Sequence, residues 1–240
     1  MPNNPYREAK RVHTSVLAAA EKRCLIWIAN RLPGWVNSDH LTTLGAAAMA
    51  GAGLCYWIGP ESGAAMLAAI VMLALNWFGD SLDGTLARVR RHERPRYGFY
   101  VDHVLDVVGI FFLLAGFALG GFMTPFVAAG FLVAYYLLMV EIALATHAVG
   151  VFRISFWRFG PTELRILLVI GTLQLLRSPY VTIAGERFLL FDLGGTVAIA
   201  ALLITFLASA IRNGRILYTL EPLPRREASS ARLEELESRA

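Results

Sequence analysis

The chain has 240 residues, of which 56% are hydrophobic and only 17% charged, and its mean hydropathy is +0.54. A soluble domain carries about 25% charged residues, so this balance excludes one and points to a membrane protein. The net charge of +4 sits at the chain ends and in particular loops, so it reads as membrane orientation and no nucleic-acid partner is expected.

Residues 1–40 read as a juxtamembrane segment. No short apolar run with a small-residue cleavage site follows the basic start, so a removable signal peptide is not expected. Over 14–32, Val16, Leu17, Ala20, Cys24, Trp27 and Ile28 fall on one stripe, with Glu21, Lys22, Arg23 and Arg31 mostly elsewhere. That pattern predicts an amphipathic helix on the membrane surface, with a first helix packed on the bundle as the alternative. Pro33 and Gly34 end it, and Ser38 or Asp39 can cap the next helix. Cys24 and Cys55 have no metal-site spacing and read as small buried hydrophobes.

Apolar stretches follow at about 41–59, 63–87, 98–121, 124–148, 162–176 and 193–211. A transmembrane helix needs about 20 residues, so these predict an all-α integral membrane protein of six transmembrane helices plus the N-terminal interfacial helix. The membrane domain is expected over 41–213 and a charged cytoplasmic tail over 214–240. With the N-terminus inside, all but Arg177 and Arg187 of the 22 Lys and Arg residues face inward. The positive-inside rule therefore places the even-numbered connections at the cytoplasmic side.

Four acids stand where a membrane chain does not otherwise place them: Asp80 and Asp83 near the inner end of the second stretch, Asp102 and Asp106 near the inner start of the third. The first pair is three residues apart and the second four, so each pair projects from one helix face. The short basic loop between them predicts antiparallel neighbouring helices that bring the four carboxylates to one level. Divalent cations remove the repulsion this creates, and an all-oxygen set without thiol or paired imidazole points to Mg²⁺ or Mn²⁺. Two such ions are the usual clamp for phosphoryl displacement. Gly84 and Ala87 leave that helix face without bulk, Gly98 lets the helices touch, and Arg88 reaches a phosphate or steadies a carboxylate; ordinary small-residue packing accounts for each glycine and alanine equally well.

The string Asp80-x2-Asp83-Gly84-x2-Ala87-Arg88-x9-Gly98-x3-Asp102-x3-Asp106 resembles the signature of the CDP-alcohol phosphotransferase family in all eight fixed positions. The resemblance, extended by the expected spans, covers 14 to about 215. It implies a six-helix, usually dimeric membrane fold with a cavity open to the cytoplasm, two metal ions on Asp80, Asp83, Asp102 and Asp106, Asp106 as general base, and Gly84 and Arg88 near the CDP moiety. Asp39 and Thr42, before and within the first span, resemble positions that line the nucleotide site. The implied reaction is Mg²⁺- or Mn²⁺-dependent transfer of a substituted phosphate from a CDP-alcohol, first of all CDP-diacylglycerol, to an acceptor alcohol with release of CMP, in the bacterial inner membrane. His103 beside Asp102 resembles the choline and ethanolamine branch, which transfers a head group to a lipid alcohol; a structural histidine is the alternative.

Arg153, Arg158 and Arg165 lie at an inner connection, where they bind an acceptor phosphate or simply set topology. Glu141 lies deep in the fourth stretch, able to pair, touch substrate or stay protonated. Two rival functions use the same acids: an intramembrane prenyltransferase, whose Asp-rich motifs lie on well-separated helices of longer chains, and a divalent-cation transporter, which calls for midplane acids and a repeat not visible here. A non-catalytic scaffold leaves the four carboxylates unexplained.

Overall fold

The computed structural model describes residues 18–149 and 161–223, with side chains from Glu21 onward. His13, Val16, Leu17, Arg153, Trp157, Arg158 and the tail beyond 223 lie outside the described residues, as does the side chain of Ala20.

Helix α1 (Ala18–Ala29) precedes α2 (Ser38–Ile58), a single 3-10 turn (Gly59–Glu61), α3 (Gly63–Arg90), α4 (Pro95–Leu119), α5 (Pro125–Val149) and α6 (Pro161–Leu175). A hairpin of β1 (Tyr180–Ile183) and β2 (Glu186–Leu189) then leads into α7 (Leu190–Leu220). The boundaries have local causes. Asn37, not Ser38 or Asp39, caps α2: its side chain accepts from the His40 backbone N–H at 2.9 Å, and the His40 ring accepts from the Asn37 N–H in return. Ser62 caps α3, which ends where Arg91 takes a left-handed φ of 57°. Pro95 opens α4 at a position where its missing N–H costs nothing.

Among the described residues, five helices, α2 (extended by the 3-10 turn), α3, α4, α5 and α7, are long and apolar enough to cross a membrane. Helix α6, at 15 residues, is only about 22 Å long at 1.5 Å per residue, short of a hydrocarbon core of about 30 Å. The chain then turns into the hairpin, whose two short strands depart from the expected all-α architecture. Helix α7 runs unbroken past 213, the expected edge of the membrane domain.

Helix α2 is the centre of the bundle. It packs closely on both α3 and α4, whereas α3 and α4 barely touch each other. This corrects the expectation of a tight α3–α4 pair: the short loop joins them, but α2 serves as their common wall. Glycines permit the closeness. A Cβ on Gly79 would lie 2.5 Å from the Leu41 carbonyl oxygen, and one on Gly116 only 2.1 Å from that of Gly53, approaches that no other residue tolerates. Gly98 does not have the contact expected of it, since nothing lies within 4 Å of its Cβ position.

Away from the site, Tyr56, Leu73 and Phe117 form the buried core with Phe122 and Phe191. The Tyr56 hydroxyl lies 2.6 Å from Thr172 Oγ1, a polar pair satisfied between α2 and α6. A second cluster joins Leu25 and Ala29 of α1 to Leu41, Leu82 and Leu86. Helix α1 thus rests on the bundle through Leu25 and Ala29, while Cys24, read from the sequence as a small buried hydrophobe, is exposed, as is Trp27 of the same apolar stripe. A rotation of about one residue, 100° on a helix, separates the two faces.

Candidate active site

Asp80, Asp102 and Asp106 each direct a carboxylate oxygen to one place, the oxygens lying within 4.8 Å of one another. Asp80 comes from the C-terminal half of α3, and Asp102 and Asp106 from the N-terminal half of α4. Three hard anionic donors at that spacing, with no thiol among them, fit a divalent cation of the Mg²⁺ or Mn²⁺ type. Asp83 lines the same recess but stands outside this trio. Its Oδ2 accepts from the Thr42 hydroxyl at 2.6 Å, its Oδ1 accepts from the Gly84 N–H, and its backbone carbonyl accepts from the Ser38 hydroxyl at 3.0 Å. The N-terminal turn of α2 therefore fixes the direction of Asp83.

Asp80, Asp83 and Asp102 line a cavity of about 640 Å³, a size suited to a nucleotide or drug-sized ligand. A smaller recess of about 30 Å³ shares Thr42, Asp80, Asp83 and Asp102 with it and is lined also by Asp106, Gly45 and Gly109. Gly84, Ala87, Arg88 and Gly98 all line the larger cavity, as do Asp39 and Thr42. A Cβ at Gly84 would meet only the Arg88 guanidinium, at 3.5 Å, so this face of α3 is open to a guest. Arg88 itself donates to the Thr85 hydroxyl at 3.2 Å. Asp39 is ion-paired with Arg94 from the α3–α4 loop, and Arg94 also sits 4.2 Å above the Tyr97 ring. Both members of that pair are about half exposed, so it contributes at most about 1 kcal/mol.

Arg165 has a part that topology does not explain. From α6 its Nη2 donates to Asp80 Oδ2 at 2.6 Å and its Nε to Asn76 Oδ1 at 2.8 Å, while Asn76 Nδ2 donates to the Gly45 carbonyl at 3.0 Å. The side chain is only 12% exposed. Its separation of 85 residues from Asp80 leaves no local spacing to signal the contact; the one hint is an arginine four residues into an apolar stretch. His103 lines the cavity, with Nδ1 at 2.8 Å from the Phe99 carbonyl and the ring 4.1 Å from that of Phe99. Glu141 turns to α7, where Asn213 Nδ2 donates to its Oε1 at 2.7 Å.

A helical membrane protein that gathers aspartates below a polar cavity at one end of its bundle is the class that this fold and site define. Residues 35–211 match the model of the CDP-alcohol phosphatidyltransferase family, and the chain belongs to that family. It is accordingly a transferase of substituted phosphate groups in phospholipid biosynthesis, with a CDP-alcohol as donor and an alcohol as acceptor. The family is metal-dependent, and the Asp80, Asp102 and Asp106 group is able to hold an ion. No curated protein matches the chain.

Proposed function

We propose that the enzyme transfers the phosphatidyl group of CDP-diacylglycerol to a polar acceptor alcohol and releases CMP. The observation that carries this reading is the convergence of three aspartate oxygens within 4.8 Å beneath a cavity of about 640 Å³ in a chain of this family. Asp80, Asp83, Asp102 and Asp106 would hold two divalent ions, Mg²⁺ or Mn²⁺. Bound there, such ions neutralise diphosphate charge and ease departure of the leaving phosphate.

The protein's own groups supply the rest. Asp106, which lines the recess, takes the proton from the acceptor hydroxyl. The acceptor oxygen forms its bond to the phosphorus distal to cytidine as the bond from that phosphorus to the CMP oxygen breaks, with the electron pair leaving on CMP. Gly84 and Ala87 keep the α3 face clear for the diphosphate, Arg88 meets its charge, Gly98 leaves the opposite side of the cavity unfilled, and Thr42 holds Asp83 in place. Asp39 reaches the nucleotide once Arg94 lets go of it. The basic α3–α4 loop favours an anionic acceptor.

His103 on the cavity wall favours a second reading, transfer of a CDP-linked head group to a lipid alcohol. We further assign six spans, with α6 and the turn after it forming the fifth and α7 the sixth, α1 at the membrane surface, the site at the cytoplasmic face of a bacterial inner membrane, and a homodimer.

The test is purified protein in lipid bilayers with Mn²⁺ or Mg²⁺, supplied with CDP-diacylglycerol and glycerol phosphate, inositol phosphate or serine, or with CDP-choline and diacylglycerol. CMP release with the first donor and one polar acceptor, abolished by EDTA, is expected. Release with CDP-choline alone moves the assignment to the second reading, and full activity in EDTA contradicts the metal site.

A further inference from the structure

Glu21 belongs to α1, outside the 35–211 stretch that matches the family. Its Oε1 accepts three hydrogen bonds: from Trp77 Nε1 at 2.8 Å, from the Thr162 hydroxyl at 2.8 Å and from the Ser81 hydroxyl at 3.3 Å. Trp77 and Ser81 are one turn apart on α3 and flank Asp80, while Thr162 opens α6 one turn before Arg165. One carboxylate oxygen thus joins α1, α3 and α6 at the edge of the cavity, which Glu21, Ser81, Thr162 and Arg165 all line. Leu25 and Ala29, buried against Leu41, Leu82 and Leu86, keep α1 seated so that Glu21 stays in reach.

We propose that Glu21 is a positioning residue that pins α6 to α3 and so keeps Arg165 on Asp80, setting how readily the aspartate group takes a divalent cation. The inference rests on the reading of Asp80, Asp102 and Asp106 as a metal site. The Arg165 guanidinium, 2.6 Å from Asp80 Oδ2, competes with a cation for that oxygen, and its charge opposes the cation from any nearby position. Thr162 and Arg165 are three residues apart, so both face α3, and the Glu21–Thr162 bond limits how far Arg165 swings away. Freed of that bond, α6 loosens, Arg165 leaves Asp80 more often, and the cation meets less competition.

The test is calorimetric titration of Mn²⁺ into the full-length protein in lipid nanodiscs, without substrate. Glu21→Ala is expected to bind Mn²⁺ about 3- to 10-fold more tightly than wild type, the factor that corresponds to one lost hydrogen bond. Glu21→Gln keeps an acceptor oxygen and should bind as wild type does; a general loosening of the fold would instead weaken binding in both. Arg165→Gln should tighten binding at least as much as Glu21→Ala, and the double variant should gain nothing further, because both changes act through one guanidinium. If Glu21→Ala does not fold, Thr162→Val, which removes a single donor, should move the affinity in the same direction. Unchanged or weaker binding in Glu21→Ala, or full additivity with Arg165→Gln, overturns the positioning role alone. Absence of Mn²⁺ binding to wild type overturns the metal reading together with it.

Discussion

Asp106 lines the recess with Gly45 and Gly109 and is the acid proposed to receive a proton from a hydroxyl bound at the trio. Replacing it by asparagine keeps the shape and removes the base, so CMP release by Asp106→Asn should fall by about 100-fold or more, the range of general-base catalysis. The thermal melting of the variant should stay that of wild type; retention of wild-type turnover would remove Asp106 from the role. The four acids were legible in the sequence because spacings of three and four residues define a helix face without any knowledge of neighbours. Arg165 and Glu21 were not, because their partners lie 85 and 56 residues away and only folding brings them together. For Glu21 the amphipathic pattern even pointed the other way, assigning it to the solvated side of α1.

Helix adjacency was the larger surprise at the level of elements. A short loop usually makes sequential helices neighbours, yet α2 stands between α3 and α4 and the cavity takes the remaining space. The glycines of closest approach, Gly45 with Gly79 and Gly53 with Gly116, are not distinguishable by sequence from the other small residues of apolar helices. Their effect is measurable. Gly79→Ala would drive a methyl into the Leu41 carbonyl at 2.5 Å, where backbone must move, at a cost of about 1–3 kcal/mol and with a shift of the adjoining Asp80. Gly98→Ala places its methyl where nothing lies within 4 Å and should keep or raise stability, by up to about 1 kcal/mol from helix propensity. Melting temperatures of the two variants in lipid check the contrast, and equal destabilisation would refute the packing assignment. The helix boundaries were legible from hydropathy to within a few residues, apart from α7, which continues to Leu220. The hairpin over 180–189 was not, since four-residue strands carry too little pattern to stand out.

For the whole molecule, the proposed orientation rests on the positive-inside asymmetry of the sequence. The loop between α3 and α4 borders the cavity, and the hairpin follows α6 at the far end of the bundle. Single cysteines placed at Glu93 and Glu186, both exposed, in a background lacking Cys24 and Cys55, should react with an impermeant maleimide from opposite sides of the membrane. Glu93→Cys should label from the cytoplasmic side. Labelling of both from one side would break the topology on which substrate access depends. Acids from α3 and α4 are proposed to share two cations beside the cavity, and the electron paramagnetic resonance spectrum of Mn²⁺ bound to the purified protein reports on that arrangement. Two ions about 3.5–4 Å apart, the spacing of two-metal phosphoryl sites, give an exchange-coupled signal, which is expected in wild type and should be lost in Asp102→Asn. A spectrum of isolated Mn²⁺ alone, identical in the two proteins, would contradict it.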